Sequence, residues 1–76
     1  MRELVEYVAK NLVDTPDDVH VSVVHGDHAT IIELQVARDE MGKVIGRQGR
    51  VANALRSLVK VAGIRQGRRV ILEISD

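Results

Sequence analysis

The chain has 76 residues, of which 45% are hydrophobic and 29% charged, a composition typical of one globular domain rather than of a disordered segment. Its net charge is zero, but residues 1–40 carry nine acidic and three basic side chains, whereas residues 41–72 carry eight basic and no acidic ones. The absence of cysteine excludes disulfides and thiolate sites, and no apolar run approaches the ~20 residues of a membrane-spanning helix. We therefore expect a single cytoplasmic domain over residues 1–76 that does not enter a membrane.

The first half of the chain predicts a helix followed by a β-hairpin. Residues 2–13 repeat apolar side chains at helical spacing, and Pro16 follows as a helix breaker because proline cannot continue a helix. The apolar period then changes to two, which predicts strands over residues 19–25 and 29–37 with a hairpin turn at Gly26. The side chains expected to face the core from these elements are Leu4, Val5, Val8, Leu12, Val19, Val21, Val23, Ile32, Leu34 and Val36.

The second half predicts two helices separated by a tight turn. A short helix over residues 40–45, capped by Asp39, leads to a glycine-bounded turn over 46–49. The clearest helix follows over residues 50–62 and ends at Gly63. Its predicted core face consists of Val51, Leu55, Leu58 and Ala62.

A last strand is predicted over residues 69–75, so that the order of elements is α-β-β-α-α-β. About thirty residues with two helices separate the second strand from the third, which is long enough for a right-handed crossover between parallel strands. We therefore predict an α+β fold with a three-stranded mixed sheet and three helices on one face.

Residues 44–51, with the sequence Val-Ile-Gly-Arg-Gln-Gly-Arg-Val, form the most informative segment. Gly46 and Gly49 allow a sharp turn, and the free N–H groups and positive dipole end of the following helix point towards it. A phosphate group fits such a corner, with Arg47 or Arg50 supplying charge. The bare G-x-x-G spacing is a weak signal because most such pairs only form turns, but its place between two helices in the basic segment strengthens the signal.

The surroundings of this turn limit how a nucleic acid would be recognised. Base selection would come from the aliphatic Val44 and Ile45 and from polar Asn53. Tyr7 is the only aromatic residue, so the chain cannot stack several bases on aromatic rings as many single-strand binders do. Charge alone leaves two interpretations open, a polyanion site or a solvated basic helix face.

The V-I-G-x-x-G segment and the order of elements resemble the K-homology (KH) domain of type II, over essentially the whole chain. The length resembles the small single-domain bacterial RNA-binding KH proteins of the KhpA type. The resemblance implies that the turn clamps the backbone of single-stranded RNA, in a groove for about four nucleotides. The implied RNA-binding residues are Lys43, Val44, Ile45, Gly46, Arg47, Gln48, Gly49, Arg50 and Asn53. Some KH loops carry two basic residues between the glycines, so we expect the neutral Gln48 to lower non-specific affinity for RNA here.

The resemblance also implies a biological setting. It implies an RNA-chaperone-like role in bacterial RNA metabolism and in cell elongation and division. It further implies a homodimer, or a heterodimer with a Jag-type KH protein, and a small core without disulfides would gain stability from such an association. The alternative function is a KH-fold protein–protein interaction module that acts mainly through dimerisation.

The remaining polar and apolar groups carry weaker signals. His25 and His28 lie at the hairpin turn and do not supply the third and fourth ligands of a metal site, so we expect no metal and no cofactor. No nucleotide-hydrolysis motif or nucleophile arrangement is present, and we expect no enzymatic activity. The basic residues Arg65, Arg68 and Arg69 either extend a phosphate track or are exposed loop charges, and the second reading is preferred. Val61 and Ile64 fit either a dimer contact or a satellite of the core.

Overall fold

The computed structural model describes residues 1–76 and has the predicted order of elements. The helices are α1 (Arg2–Leu12), α2 (Met41–Ile45) and α3 (Arg50–Arg65), and the strands are β1 (His20–His25), β2 (Thr30–Gln35) and β3 (Val70–Ser75). Short 3-10 turns at Pro16–Asp18, Arg38–Glu40 and Arg47–Gly49 connect them. None of the helices has the length and hydrophobicity that spanning a membrane requires.

The three strands form one mixed sheet in the order β1-β2-β3. The hairpin makes β1 and β2 antiparallel, and the N–H of Gly26 closes its turn by donating to the carbonyl of Ala29 at 2.9 Å. The crossover through α2 and α3 makes β2 and β3 parallel, with Ile32 beside Leu72. The predicted topology is thus confirmed, and β1 and β3 are both edge strands.

One face of the sheet is covered by the helices and the other is open. Because strand side chains alternate, β2 and β3 bury every second residue beneath the helices. The core cluster comprises Val5, Ala9, Val13, Val19, Val21, Ile32, Leu34, Val36, Val44, Leu55, Val59, Val70 and Leu72. The predicted α+β fold, with three helices on one face of the sheet, is confirmed.

Two helices face the core differently from the prediction. On α1, Leu4 is exposed and the small Ala9 is buried instead. On α3, Leu58 is 53% exposed, and the buried side chains include those of Ala52 and Val59. The predicted helical period is correct in both cases. The buried face of each helix is rotated from the predicted one, because small side chains allow a close approach to the sheet on a face that has fewer large apolar residues.

Gly63 does not end α3, contrary to the sequence prediction. The helix continues to Arg65, and Gly63 lies buried inside it against the start of β3. A Cβ atom at Gly63 would lie 2.7 Å from Cγ2 of Val70 and 2.8 Å from the carbonyl oxygen of Arg68. This glycine therefore permits close helix–strand packing, and the left-handed residue beyond the helix is Gly67, with φ of 70°.

Candidate nucleic-acid interface

The turn between α2 and α3 has a backbone that requires glycine. Gly46 has φ 77° and ψ 172°, a conformation almost confined to glycine, and a Cβ atom there would lie 2.5 Å from Cγ2 of Val51. Gly49, with φ 76° and ψ 15°, is left-handed, but a Cβ atom there would meet nothing closer than Nδ2 of Asn53 at 3.7 Å. The two glycines thus serve different purposes. Gly46 allows the backbone to lie against the side chain of Val51, and Gly49 leaves the surface of the turn accessible.

The two residues between the glycines point outwards. Arg47 and Gln48 are exposed, and the flanking glycines are half-buried, so the corner is open to solvent. Gln48 has φ 58° and is the only non-glycine residue with positive φ in the chain. That conformation costs about 1–2 kcal/mol for a residue with a side chain. Strain of this kind is maintained by the surrounding structure and is concentrated at functional sites.

The turn leads directly into the N-terminus of α3. Gly49 is the N-cap and has no side chain to accept a hydrogen bond, so no side chain caps the first turn of this 16-residue helix. Arg50, the first helical residue, is exposed, and the amide group of Asn53 lies beside the turn. The N–H groups of Gly49 and Arg50 donate within the turn, to the carbonyls of Gly46 and Arg47. The positive end of the helix dipole and two arginines meet at this open corner, an arrangement that favours an anion.

Three predicted site residues on α2 have different environments. Val44 is 0% exposed and belongs to the core cluster, so its side chain supports the turn from beneath and cannot line a groove as expected from the sequence. Ile45 is half-buried and keeps part of its surface open. Lys43 is exposed but forms an ion pair with Asp14, and this hydrogen bond raises the pKa of the lysine above its usual value. A phosphate would have to compete with Asp14 for Lys43.

A buried carboxylate connects α2 to the segment after α1. Glu40 is 5% exposed, and its Oε1 accepts hydrogen bonds from the backbone N–H groups of Asp14 and Thr15, both at 3.0 Å. Its Oε2 is buried without a hydrogen-bond partner. The predicted cap by Asp39 is wrong, since neither the 3-10 turn nor α2 has a side-chain cap. Sequence reasoning missed Glu40 because its partners lie more than twenty residues away.

The eleven lysine and arginine side chains separate into two groups. Four pair with acidic side chains: Arg2, Lys10, Arg38 and Lys43. The other seven form no ion pair: Arg47, Arg50, Arg56, Lys60, Arg65, Arg68 and Arg69. All seven lie on the turn, on α3 or on the loop after it, so the segment rich in basic residues is also the surface where positive charge is not neutralised.

Two of these unpaired cations lie along α3 beyond the glycine turn. Asn53, Arg56 and Lys60 are all exposed on one side of the helix, and Nε of Arg56 donates to the carbonyl of Leu72 at 3.5 Å. This row therefore runs from the glycine turn along the edge strand β3. Arg56 and Lys60 were not among the predicted site residues, although helical spacing places them on the same side as Asn53.

The hairpin histidines and the single aromatic residue lie on other surfaces. His25 and His28 are exposed around the hairpin turn, and no group of three or more histidine, cysteine or acidic side chains is placed to hold a metal ion. Tyr7 is exposed on α1. Neither the histidines nor the tyrosine adjoins the glycine turn in sequence or shares its helices.

Comparison with known proteins identifies close relatives over nearly the whole length. The family model described as the KhpA/KhpB KH domain matches residues 2–74. The RNA-binding protein KhpA of Clostridium perfringens is 54% identical over 97% of this chain and 99% of its own length. The proteins of the same name from Halalkalibacterium halodurans and Aquifex aeolicus are 57% and 47% identical over the full chain, and cover 100% and 96% of their own lengths.

No solved structure matches the chain. The relatives are named as binding proteins and not as enzymes, which agrees with the expectation of a chain without catalytic activity.

Proposed function

The chain belongs to the family of KhpA/KhpB KH domains, and on that premise we propose that residues 1–76 act as one KH domain that binds single-stranded RNA. The relatives carry the name of RNA-binding proteins. The observation that carries the proposal is the open glycine turn at the uncapped N-terminus of α3, beside cations that have no acidic partner. Cytoplasmic location and an RNA-chaperone-like role in cell elongation and division stay predictions.

The proposed clamp acts on the sugar-phosphate backbone. A phosphate lies against the main chain of Gly46–Gly49, where the positive end of the α3 dipole attracts it. Arg47 and Arg50 add charge-assisted hydrogen bonds. The absence of a Cβ atom on Gly49 lets the backbone of the RNA approach closely.

Bases are held by aliphatic and polar contacts rather than by stacking. Ile45 offers apolar surface beside the turn, and Asn53 offers an amide that can hydrogen-bond to base edges. Lys43 contributes to phosphate binding only when it leaves Asp14, so we expect a smaller effect from Lys43 than from Arg47. Val44 acts only through the packing that supports the turn.

The test replaces the two outward-facing residues of the turn. The variant Arg47→Asp with Gln48→Asp keeps the fold, because both side chains are exposed and aspartate tolerates the left-handed backbone at residue 48. We expect its affinity for a single-stranded RNA of about four nucleotides to fall at least about tenfold, through loss of a charge-assisted hydrogen bond and added repulsion. Affinity is measured by fluorescence anisotropy, with circular dichroism to confirm folding.

The chain supplies a matched control. The run Arg-Gln-Gly-Arg occurs at residues 47–50 and again at 65–68, at the opposite ends of α3. The variant Arg65→Asp with Gln66→Asp makes the same chemical change at the C-terminal end, where no helical N–H groups are free. Its affinity for the short RNA should remain near that of the wild type. Equal losses in both variants, or unchanged binding in the first, would contradict the role of the turn.

We propose self-association as a second function, favoured by the apolar side chains that α3 exposes. Leu58 and Val61 are each 53% exposed on the side of the helix away from the cationic row. Large apolar groups grouped on one helix face are typical of interaction sites. A second copy of the chain can cover them, forming a homodimer that presents two RNA clamps. A heterodimer with a Jag-type KH protein would use the same face.

The molecular mass of the assembly in solution tests whether the chain forms a dimer. Val61→Glu places a charge in the centre of the face and should convert a concentration-dependent dimer into a monomer, measured by sedimentation equilibrium on the purified chain. Tyr7→Glu changes another exposed large side chain, on α1, and should leave the mass unchanged. A wild-type chain that stays monomeric at all concentrations would refute self-association, and addition of a purified Jag-type protein would then test the heterodimer.

A further inference from the structure

A second group of unpaired cations surrounds a concavity at the far end of α3. The concavity has a volume of about 680 Å³, and its lining includes Lys60, Ile64, Arg68, Arg69 and Ile71. No acidic residue lines it. Three cations that face one space without a counter-charge repel one another, so this surface has the charge of a site for an anionic ligand.

The loop that carries two of these cations has a fixed backbone. The N–H of Arg68 donates to the carbonyl of Gly63 at 2.8 Å, and the N–H of Thr30 donates to the carbonyl of Arg69 at 2.9 Å. Nη1 of Arg68 also donates to Oγ1 of the buried Thr30 at 3.1 Å. The backbone of Arg68 and Arg69 is therefore held by β2 and α3, and the side chain of Arg68 is held as well, which lowers the entropic cost of ligand binding at Arg68.

Stabilisation of the helix explains only part of this charge. Cations in the last turn of a helix interact favourably with its dipole, and this accounts for Arg65. Lys60 lies more than one turn before the helix end, and Arg69 is the last residue of the loop, next to β3. Neither gains from the dipole, so their convergence on one concavity needs another reason.

The concavity lies on the same surface as the proposed RNA clamp. Arg56 and Lys60 continue the row of Asn53 along α3, and the concavity begins at Lys60. From Arg50 to Ile64 the helix rises roughly 20 Å. Glu33 and Glu73 are neighbours on the open face of the sheet and line a concavity with Arg56, so their negative charge lies beside the middle of the row and not in the concavity that begins at Lys60.

We propose that this concavity binds a further nucleotide of the single-stranded RNA whose backbone is held at Gly46–Gly49, so that the chain tracks an RNA longer than the four nucleotides of a KH clamp. Lys60 and Arg69 contact phosphate, with Arg68 fixed behind them, and the aliphatic Ile64 and Ile71 contact the base. The proposal rests on the proposed RNA-binding function and adds a second subsite to it.

The experiment compares a short and a long RNA on one double variant. Lys60→Gln with Arg69→Gln removes two exposed cations and leaves the bond from Arg68 to Thr30 intact. With an unstructured RNA of about twelve nucleotides, the slope of log K against log salt should become shallower by about 1.4, since each phosphate contact on a single strand contributes about 0.7. With an RNA of about four nucleotides, affinity and slope should stay near those of the wild type.

A second double variant supplies the matched control. Lys10→Gln with Arg38→Gln changes the net charge by the same amount, but both cations are already paired with acids and lie outside the row along α3. Its slope with the long RNA should match the wild type. The subsite would be refuted if the salt slope with the long RNA were unchanged in the Lys60 and Arg69 variant, or if it changed by the same amount in the control. In that case, binding of the short RNA would still support the clamp. Failure of the wild type to bind either RNA would instead refute the proposed function itself.

Discussion

Substituting alanine for each of three glycines tests the geometry of the turn. Gly46, Gly49 and Gly67 have φ of 77°, 76° and 70°, so each substitution imposes a positive φ on alanine. They differ in what the new methyl group meets: Cγ2 of Val51 at 2.5 Å for residue 46, an amide nitrogen at 3.7 Å for residue 49, and nothing within 4 Å for residue 67. The series therefore separates backbone strain from steric overlap.

The expected losses of stability differ clearly. A left-handed alanine costs about 1–2 kcal/mol, partly offset by the lower entropy of the unfolded chain, so Gly49→Ala and Gly67→Ala should each cost ~1 kcal/mol. In Gly46→Ala, the alanine must adopt a backbone conformation almost confined to glycine, which costs about 3 kcal/mol of unfolding free energy. Overlap of its methyl group with Val51 costs about 1–3 kcal/mol more. The total approaches the whole unfolding free energy of a small domain, ~5 kcal/mol.

Urea unfolding followed by circular dichroism measures these differences, since 1 kcal/mol moves the midpoint by about 1 M in a domain of this size. Val51→Ala should rescue part of the loss in Gly46→Ala, which gives a coupling energy of about 1–2 kcal/mol in a double-mutant cycle. If Gly46→Ala were no more destabilising than Gly67→Ala, the close passage of the turn beside Val51 would be refuted. Gly49→Ala should also weaken binding of the short RNA, and Gly67→Ala should not.

Gly63→Ala should lower the unfolding free energy by about 1–3 kcal/mol although alanine is the better helix former, because its methyl group overlaps Val70; an increase in thermal stability would contradict this packing. Glu40→Ala should cost about 1–3 kcal/mol in urea unfolding, since it leaves the N–H groups of Asp14 and Thr15 without their acceptor, whereas Glu40→Gln retains an acceptor oxygen and should cost less. The ion pair with Asp14 raises the pKa of Lys43 in the folded chain. The pair therefore stabilises the fold fully below the pKa of the lysine in the unfolded chain, near 10.5, and this stabilisation is lost as the pH rises through the higher pKa of the folded chain. Between about pH 6 and pH 10, where carboxylates are ionised, the difference in melting temperature between wild type and Asp14→Asn should accordingly be constant, and it should shrink above pH 10; a difference that grew above pH 10 would be inconsistent with this pair.

The candidate site was predictable from the sequence where its residues are consecutive. Gly46–Gly49, Arg50 and the flanking helices are adjacent in the chain, and their spacing indicates an anion-binding corner without knowledge of the rest of the fold. The burial of Val44 and the pairing of Lys43 with Asp14 were not predictable, because each depends on a segment that the fold brings from elsewhere.

By itself, the sequence determined the order of the elements, the parallel and antiparallel pairings and the place of the glycine turn, because hydrophobic period, turn residues and connection lengths act locally. Only the tertiary structure decided how the helices rotate onto the sheet. That rotation exposes Leu58 and buries Gly63, since close approach depends on the volumes of side chains on both surfaces at once. It also decided which cations are neutralised, because ion pairs such as Arg38 with Asp76 join residues far apart in the chain.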